Sequence, residues 1–168
     1  MSAKSFDYTS MGFITFDCLG WPFTAIPEGG GCYLIDEFTL AVSGAAGVAA
    51  IAAAKMGLRT QAVGGVGPDL MGDWVMQRLA DFNVDTAMMQ KKPGWKTSSS
   101  IVTTRADGSR PALHMKGATG SFVVDPKDAP RVIDATVFHL GGVGLMDAMD
   151  GAANAALMKQ AKAAGCIT

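Results

Sequence analysis

Asp17 closes the apolar run SMGFITFD (10–17), which reads as a first strand. A carboxylate at the carboxyl end of a strand in a parallel α/β sheet stands where ligands gather. Its two oxygens can accept two hydrogen bonds from a diol. Two glycine clusters, both GGVG, occupy 64–67 and 141–144. Each is read as following a strand and preceding a helix, a place where backbone N–H groups can bind an anion. Neither fits G-x-G-x-x-G, because the sixth position is Leu70 counted from Gly65 and Asp147 counted from Gly142. No G-x-x-x-x-G-K-[ST] occurs, so a P-loop is excluded. Taken alone, the clusters read as tight turns. His114 and His139 are the only histidines, and no G-x-S-x-G elbow accompanies them. Each reads as a structural residue.

The elements that would hold these groups alternate. After the first strand, CLGWPFTAIPEGGGC (18–32) is a Pro- and Gly-rich loop. FTLAVSG (38–44) is strand-like and leads into an alanine-rich helix stopped by Gly57. RTQAVGGVG (59–67) is a further strand. In DLMGDWVMQRLADFN, Met71, Val75, Leu79 and Phe82 recur at helical spacing, with Asn83 as a left-handed cap. Residues 97–115 read as two β-rich runs around the Asp107-Gly108 turn. ATVFHL (135–140) is a short strand, DAMDGAANAALMKQAKAAG is a helix ending at Gly165, and CIT starts another strand. Strands alternating with helices imply a largely parallel α/β sheet.

Composition removes several classes of function. Lys plus Arg is 14 against 15 for Asp plus Glu. That balance provides no electrostatic footprint for nucleic acid or an anionic membrane. The run from Leu40 to Ala54 is shorter than the ~20 residues a bilayer needs, so it reads as a buried helix. The start, MSAKSFDYTS, is polar and does not read as a signal peptide. Cys18, Cys32 and Cys166 are too few and scattered for a disulfide framework, and no C-x-x-C suggests zinc. A reducing cytoplasm is the expected setting.

The order of these pieces resembles the N-terminal half of a ribokinase-like (PfkB-type) carbohydrate kinase, over essentially the whole chain. MGFITFD is similar to the family's first strand, which ends in Asn-x-Asp; Thr15 stands here for the Asn. SGAAGVAAIAAAKMGLRTQAVGGVGPDLMGD resembles the N-terminal signature, its last part carried by Val66, Gly67, Asp69 and Gly72. TSSSIVTTRADGSRPALHMKGAT resembles the hairpin that forms a lid over the sugar. In two places the chain departs from the family pattern. An Asn of the helix start falls on Val48, and a Glu that some members place after the 135–140 strand falls on Gly141.

The resemblance implies a partial three-layer α/β/α sandwich, ribokinase-like, with a small β-sheet lid from about 29–42 and 97–115. It implies that the chain is the sugar-binding part of one domain. In the family, the catalytic base and anion hole lie in a Gly-Ala-Gly-Asp motif of the C-terminal half, beside the ATP site, and no such motif occurs in these 168 residues. A full-length protein would transfer the γ-phosphate of Mg-ATP to a hydroxyl of a sugar or nucleoside, and this chain alone would be inactive. The substrate residues implied are Asp17 and Thr15, the helix start at Ser43, Gly44 and Ala45, the lid residues Ser100 and Val102, and Gly141. No residue of the chain is assigned to a metal. The expected partners are a small sugar and a second copy bound through the lid, with no nucleic acid or membrane. The competing expectation is a non-catalytic α/β module that dimerises through the same strands.

Overall fold

The structure is a computed structural model that describes residues 4–25 and 27–168. Met1 to Ala3 at the polar start, and Ile26 in the Pro- and Gly-rich stretch, lie outside the described residues. The elements in chain order are β1 (Phe6–Gly12), β2 (Thr15–Trp21), β3 (Glu37–Ser43), α1 (Ala45–Lys55), β4 (Thr60–Val66), α2 (Leu70–Asp81) and β5 (Val84–Lys91). They continue with β6 (Ser99–Thr103), β7 (Ala112–Met115), the short α3 (Ala129–Val132), β8 (Ala135–Gly141) and α4 (Ala152–Ala163).

The strands form two sheets. The first, ordered β5-β4-β1-β8, is parallel throughout. Its two faces are buried by separate clusters. One joins Ile14, Ala46, Ala50, Ala62, Val75 and Leu79 under α1 and α2. The other joins Met11, Phe122, Val132, Phe138, Met146 and Leu157 on the side of α3 and α4. Helices on both faces of a parallel sheet make the three-layer arrangement expected. Beyond α4, Ile167 pairs in parallel with Val137 of β8.

The second sheet is ordered β3-β2-β6-β7, with β2 parallel to β6 and the other pairs antiparallel. The run 10–17 is therefore not one strand. It holds the end of β1 and the start of β2, which belong to different sheets. Gly12 makes the break at φ 132°, a conformation open to glycine, and a side chain there would collide with the carbonyl of Gly141. Asp17 consequently lies inside β2 rather than at the carboxyl end of β1. The loop expected from Cys18 begins only after Trp21, and β3 begins at Glu37, with no strand at 29–36.

The helices follow from local sequence. α1 buries Ala46, Gly47, Ala50 and Ala53, small residues that let it lie close to β1 and β3. A side chain at Gly47 would press on Val42 and Ile14. α1 is followed by Gly57 (φ 86°) and α2 by Asn83 (φ 60°), the left-handed positions read from sequence. α2 starts at Asp69, whose carboxylate accepts from Gly72 N at 2.9 Å. None of the helices among the described residues is long and apolar enough to cross a membrane.

The first glycine cluster runs from the end of β4 to the turn before α2, whereas the second does not reach a helix. Gly64 and Gly65 lie inside β4, where a side chain would press on the carbonyls of Gly12 and Ala118. Gly141 ends β8, but α4 starts only at Ala152, so the second cluster does not open a helix. Gly67 precedes the start of α2, and its N–H donates to Thr97 Oγ1 at 2.9 Å.

Candidate functional site

Between the two sheets, an open cleft of about 710 Å³ lies against the start of α1. Its polar groups are Thr15, Asp17, Ser43, Ser100, His114 and His139. Phe13, Val48, Ala49, Ala112 and Leu145 make the apolar wall.

Register builds the polar side. Asp17 of β2 pairs with Ser100 of β6, and Ser100 pairs with His114 of β7. Paired residues on neighbouring strands share a face, so carboxylate, hydroxyl and imidazole line up across three strands. Ser100 Oγ and His114 Nδ1 are 3.1 Å apart, and Phe13 stacks edge-on against the His114 ring with centroids 5.3 Å apart. One residue pair along, Thr15 lies opposite Ser43.

Asp17 is 8% exposed. Its carboxylate has one hydrogen bond among the described residues, from Thr15 Oγ1 to Oδ1 at 3.2 Å. The Thr15 proton is shared, because the carbonyl of Ser98 lies nearer, at 2.8 Å. Oδ2 has no donor among the described residues, and no Lys or Arg lines the cleft. Oδ2 opens onto the cleft, so its spare acceptor capacity is available to the hydroxyl donors of a ligand.

The start of α1 meets the cleft through Ser43, Gly44 and Ala45. Gly44 precedes the helix at φ 80°, ψ 151° and offers no side-chain cap. The crossover from β1 to β2 anchors this end: Ala46 N donates to Phe13 O at 3.0 Å, and Phe13 N donates to Gly141 O at 2.9 Å. The positive end of the helix dipole thus faces the cleft, favouring electron-rich oxygens there.

Six of the eight residues proposed from sequence, Thr15, Asp17, Ser43, Gly44, Ala45 and Ser100, line this cleft. Val102 lines a separate cavity of about 300 Å³ with Phe38, Ile101 and Leu113. Gly141 packs beneath the helix start, where a side chain would meet Ala46 N and the His139 ring. Sequence reasoning passed over His114 and His139. Counting outward from the Asp107-Gly108 turn brings His114 within one residue of Ser100, a usable signal. For His139 no local signal exists, since the side chain reaches the cleft through the pairing of β8 with β1.

The pfkB family carbohydrate kinase profile matches residues 23–168. The chain belongs to that family. Fructokinase-2 of Solanum habrochaites is 30% identical over 132 residues, covering 77% of this chain and 40% of the relative. A fructokinase structure from Xylella fastidiosa is 25% identical with a TM-score of 0.71, covering 96% of this chain and 48% of that one. The Arabidopsis thaliana ribokinase solved with ribose and ATP has a TM-score of 0.71 at 19% identity, covering 83% of this chain and 45% of that one. The chain thus spans less than half the length of each of these kinases. The α/β architecture is that of the ribokinase-like fold.

Proposed function

We propose that this pfkB family chain is the sugar-binding part of an ATP-dependent sugar kinase, with the cleft at α1 as its acceptor site. Asp17 carries the reading: a nearly buried carboxylate with one oxygen free and no cation beside it. Two sugar hydroxyls satisfy it, while Ser43 and Ser100 exchange hydrogen bonds with others. The apolar wall holds the carbon skeleton and excludes water. The acceptor hydroxyl loses its proton, its oxygen takes the γ-phosphoryl group of Mg-ATP, and ADP leaves. Positioning and charge stabilisation supply most of such a step, and here the chain contributes the positioning. On this reading the base and anion hole come from a Gly-Ala-Gly-Asp motif, beside the nucleotide site, that these 168 residues do not contain.

The second sheet acts as the lid. Its face away from Asp17 bears Phe38, Leu40, Ile101, Leu113 and Met115, each between 44% and 68% exposed. A contiguous apolar face of this kind marks an interface, and a second copy covers it by symmetric contact. The cytoplasm is the proposed setting, consistent with three unpaired cysteines, of which Cys166 is buried.

A phosphorylation screen with Mg-ATP tests the reading. The full-length protein is offered pentoses, hexoses, keto-deoxy acids and nucleosides. Turnover of at least one is expected, and none from these 168 residues alone. Turnover by the isolated 168 residues would overturn the assignment of the base and ATP site elsewhere.

A further inference from the structure

His139 belongs to none of the motifs that define the site, yet it reaches the cleft from β8. Its Nδ1 lies 3.1 Å from Ser10 Oγ, and Ser10 is fully buried on the neighbouring β1. Ser10 has a single proton. Its Oγ is 2.8 Å from the carbonyl of Ala46. A carbonyl only accepts, and two oxygens at that separation repel unless a proton lies between them. The Ser10 proton therefore goes to Ala46, so Ser10 accepts at its other side and His139 Nδ1 carries the hydrogen. In the neutral ring, Nε2 is then left as a lone-pair acceptor. It has no partner among the described residues.

We propose that His139 is a substrate-binding residue that accepts a sugar hydroxyl at Nε2, and that Ser10 is the positioning residue that fixes this tautomer. The proposal rests on reading the cleft as the sugar site. It extends the acceptor set beyond Asp17 to the far wall, so the ligand must carry hydroxyl donors toward both.

The surroundings favour the neutral ring. Burial lowers the His139 pKa below its ordinary 6.5. From β1 the Tyr8 ring lies against it with centroids 5.9 Å apart, and α1 presents backbone and alanine rather than a charged side chain. Asp17 on β2 and His114 on β7 are the other titratable groups of the cleft. Protonation places a hydrogen on Nε2 and abolishes the acceptor. Affinity for a donating hydroxyl therefore falls as pH drops below the usual histidine range.

Two measurements on the full-length protein test this. Nitrogen-15 NMR of the histidine rings reads the tautomer directly. His139 is expected with its hydrogen on Nδ1 in the wild type and on Nε2 in Ser10→Ala. A wild-type hydrogen on Nε2 overturns the proposal. Calorimetry with D-fructose and D-ribose at pH 8 and pH 5 then compares wild type, His139→Phe, His139→Gln and Asp17→Ala. Loss of one neutral hydrogen bond corresponds to about 2–10-fold in Kd. His139→Phe is expected to bind that much more weakly at pH 8. His139→Gln, which keeps an acceptor near Nε2, restores binding and removes the weakening at pH 5. If Asp17→Ala loses binding while His139→Phe binds like wild type, the sugar site stands and the His139 role is refuted. If the wild type binds neither of these nor any other acceptor of the phosphorylation screen, the site reading fails and takes the proposal with it.

Discussion

Asp17 and Ser100 are directly paired across β2 and β6, and both open onto one cleft. The pairing is parallel and joins residues far apart in sequence. The site therefore depends on β6 keeping its register beside β2 within the second sheet, and buried polar groups around the start of β6 hold it there. Thr15 donates to Ser98 O, Ser98 Oγ contacts Thr119 Oγ1 at 2.6 Å, and Asp69 clasps the backbone at Thr97.

Asp69 is the most exacting of these. It accepts from Gly72 N at 2.9 Å, from Thr97 N at 2.9 Å and from Thr97 Oγ1 at 2.6 Å. Asp69→Ala removes a helix cap and strands donors of a fully buried Thr97. The expected loss is about 2–4 kcal/mol, read from urea midpoints. Burial alone would raise the pKa of Asp69, but bonds from Thr97 and Gly72 outweigh it and bring it below the ordinary 3.8. A lowered folded pKa means that the stabilisation is complete above that ordinary value. It is lost as pH falls through the folded value. The gap between wild type and variant should therefore narrow below about pH 4.

Gly44→Ala tests the helix start. At φ 80°, ψ 151° the backbone suits glycine almost alone, and the new methyl would stand 2.5 Å from the Phe13 carbonyl. That carbonyl accepts from Ala46 N. A loss of at least about 1–3 kcal/mol in thermal or chemical unfolding is expected. Sugar affinity should fall with it, because Phe13 walls the cleft.

Ile101 is 52% exposed among Phe38, Leu113 and Met115 on the face away from Asp17. Ile101→Lys places a charge in the centre of that surface. Light scattering should report a dimer for the wild type and a monomer for the variant. A monomeric wild type, or a variant that associates equally well, contradicts the proposed interface.

The parts of the fold that rest on local rules were legible in the sequence. Ala46, Ala50 and Ala53 repeat on one helical face, Gly57 and Asn83 close two helices, and Asp107-Gly108 turns the hairpin. Asp17, Ser43 and Ser100 reached the candidate site through family resemblance, and the structure brings them together. What escaped depends on contacts between distant residues. The break at Gly12 is set by the Gly141 carbonyl, which no local pattern reveals. β5 went unread because its register against β4 shifts between Gln61 and Val63, so Val84, Met88 and Met89 do not alternate. Val102 was placed on the sugar as a lid residue through the resemblance, yet it lines the neighbouring apolar cavity.

The most direct test of the account is sugar binding by the full-length protein with and without the Asp17 carboxylate, measured by calorimetry alongside ATP binding. Hydrogen bonds to a charged group contribute roughly 1.5–3 kcal/mol. Asp17→Ala should weaken the sugar by about 10–150-fold and leave ATP affinity nearly unchanged. Undiminished sugar affinity in Asp17→Ala, or an equal loss for both ligands, would contradict it.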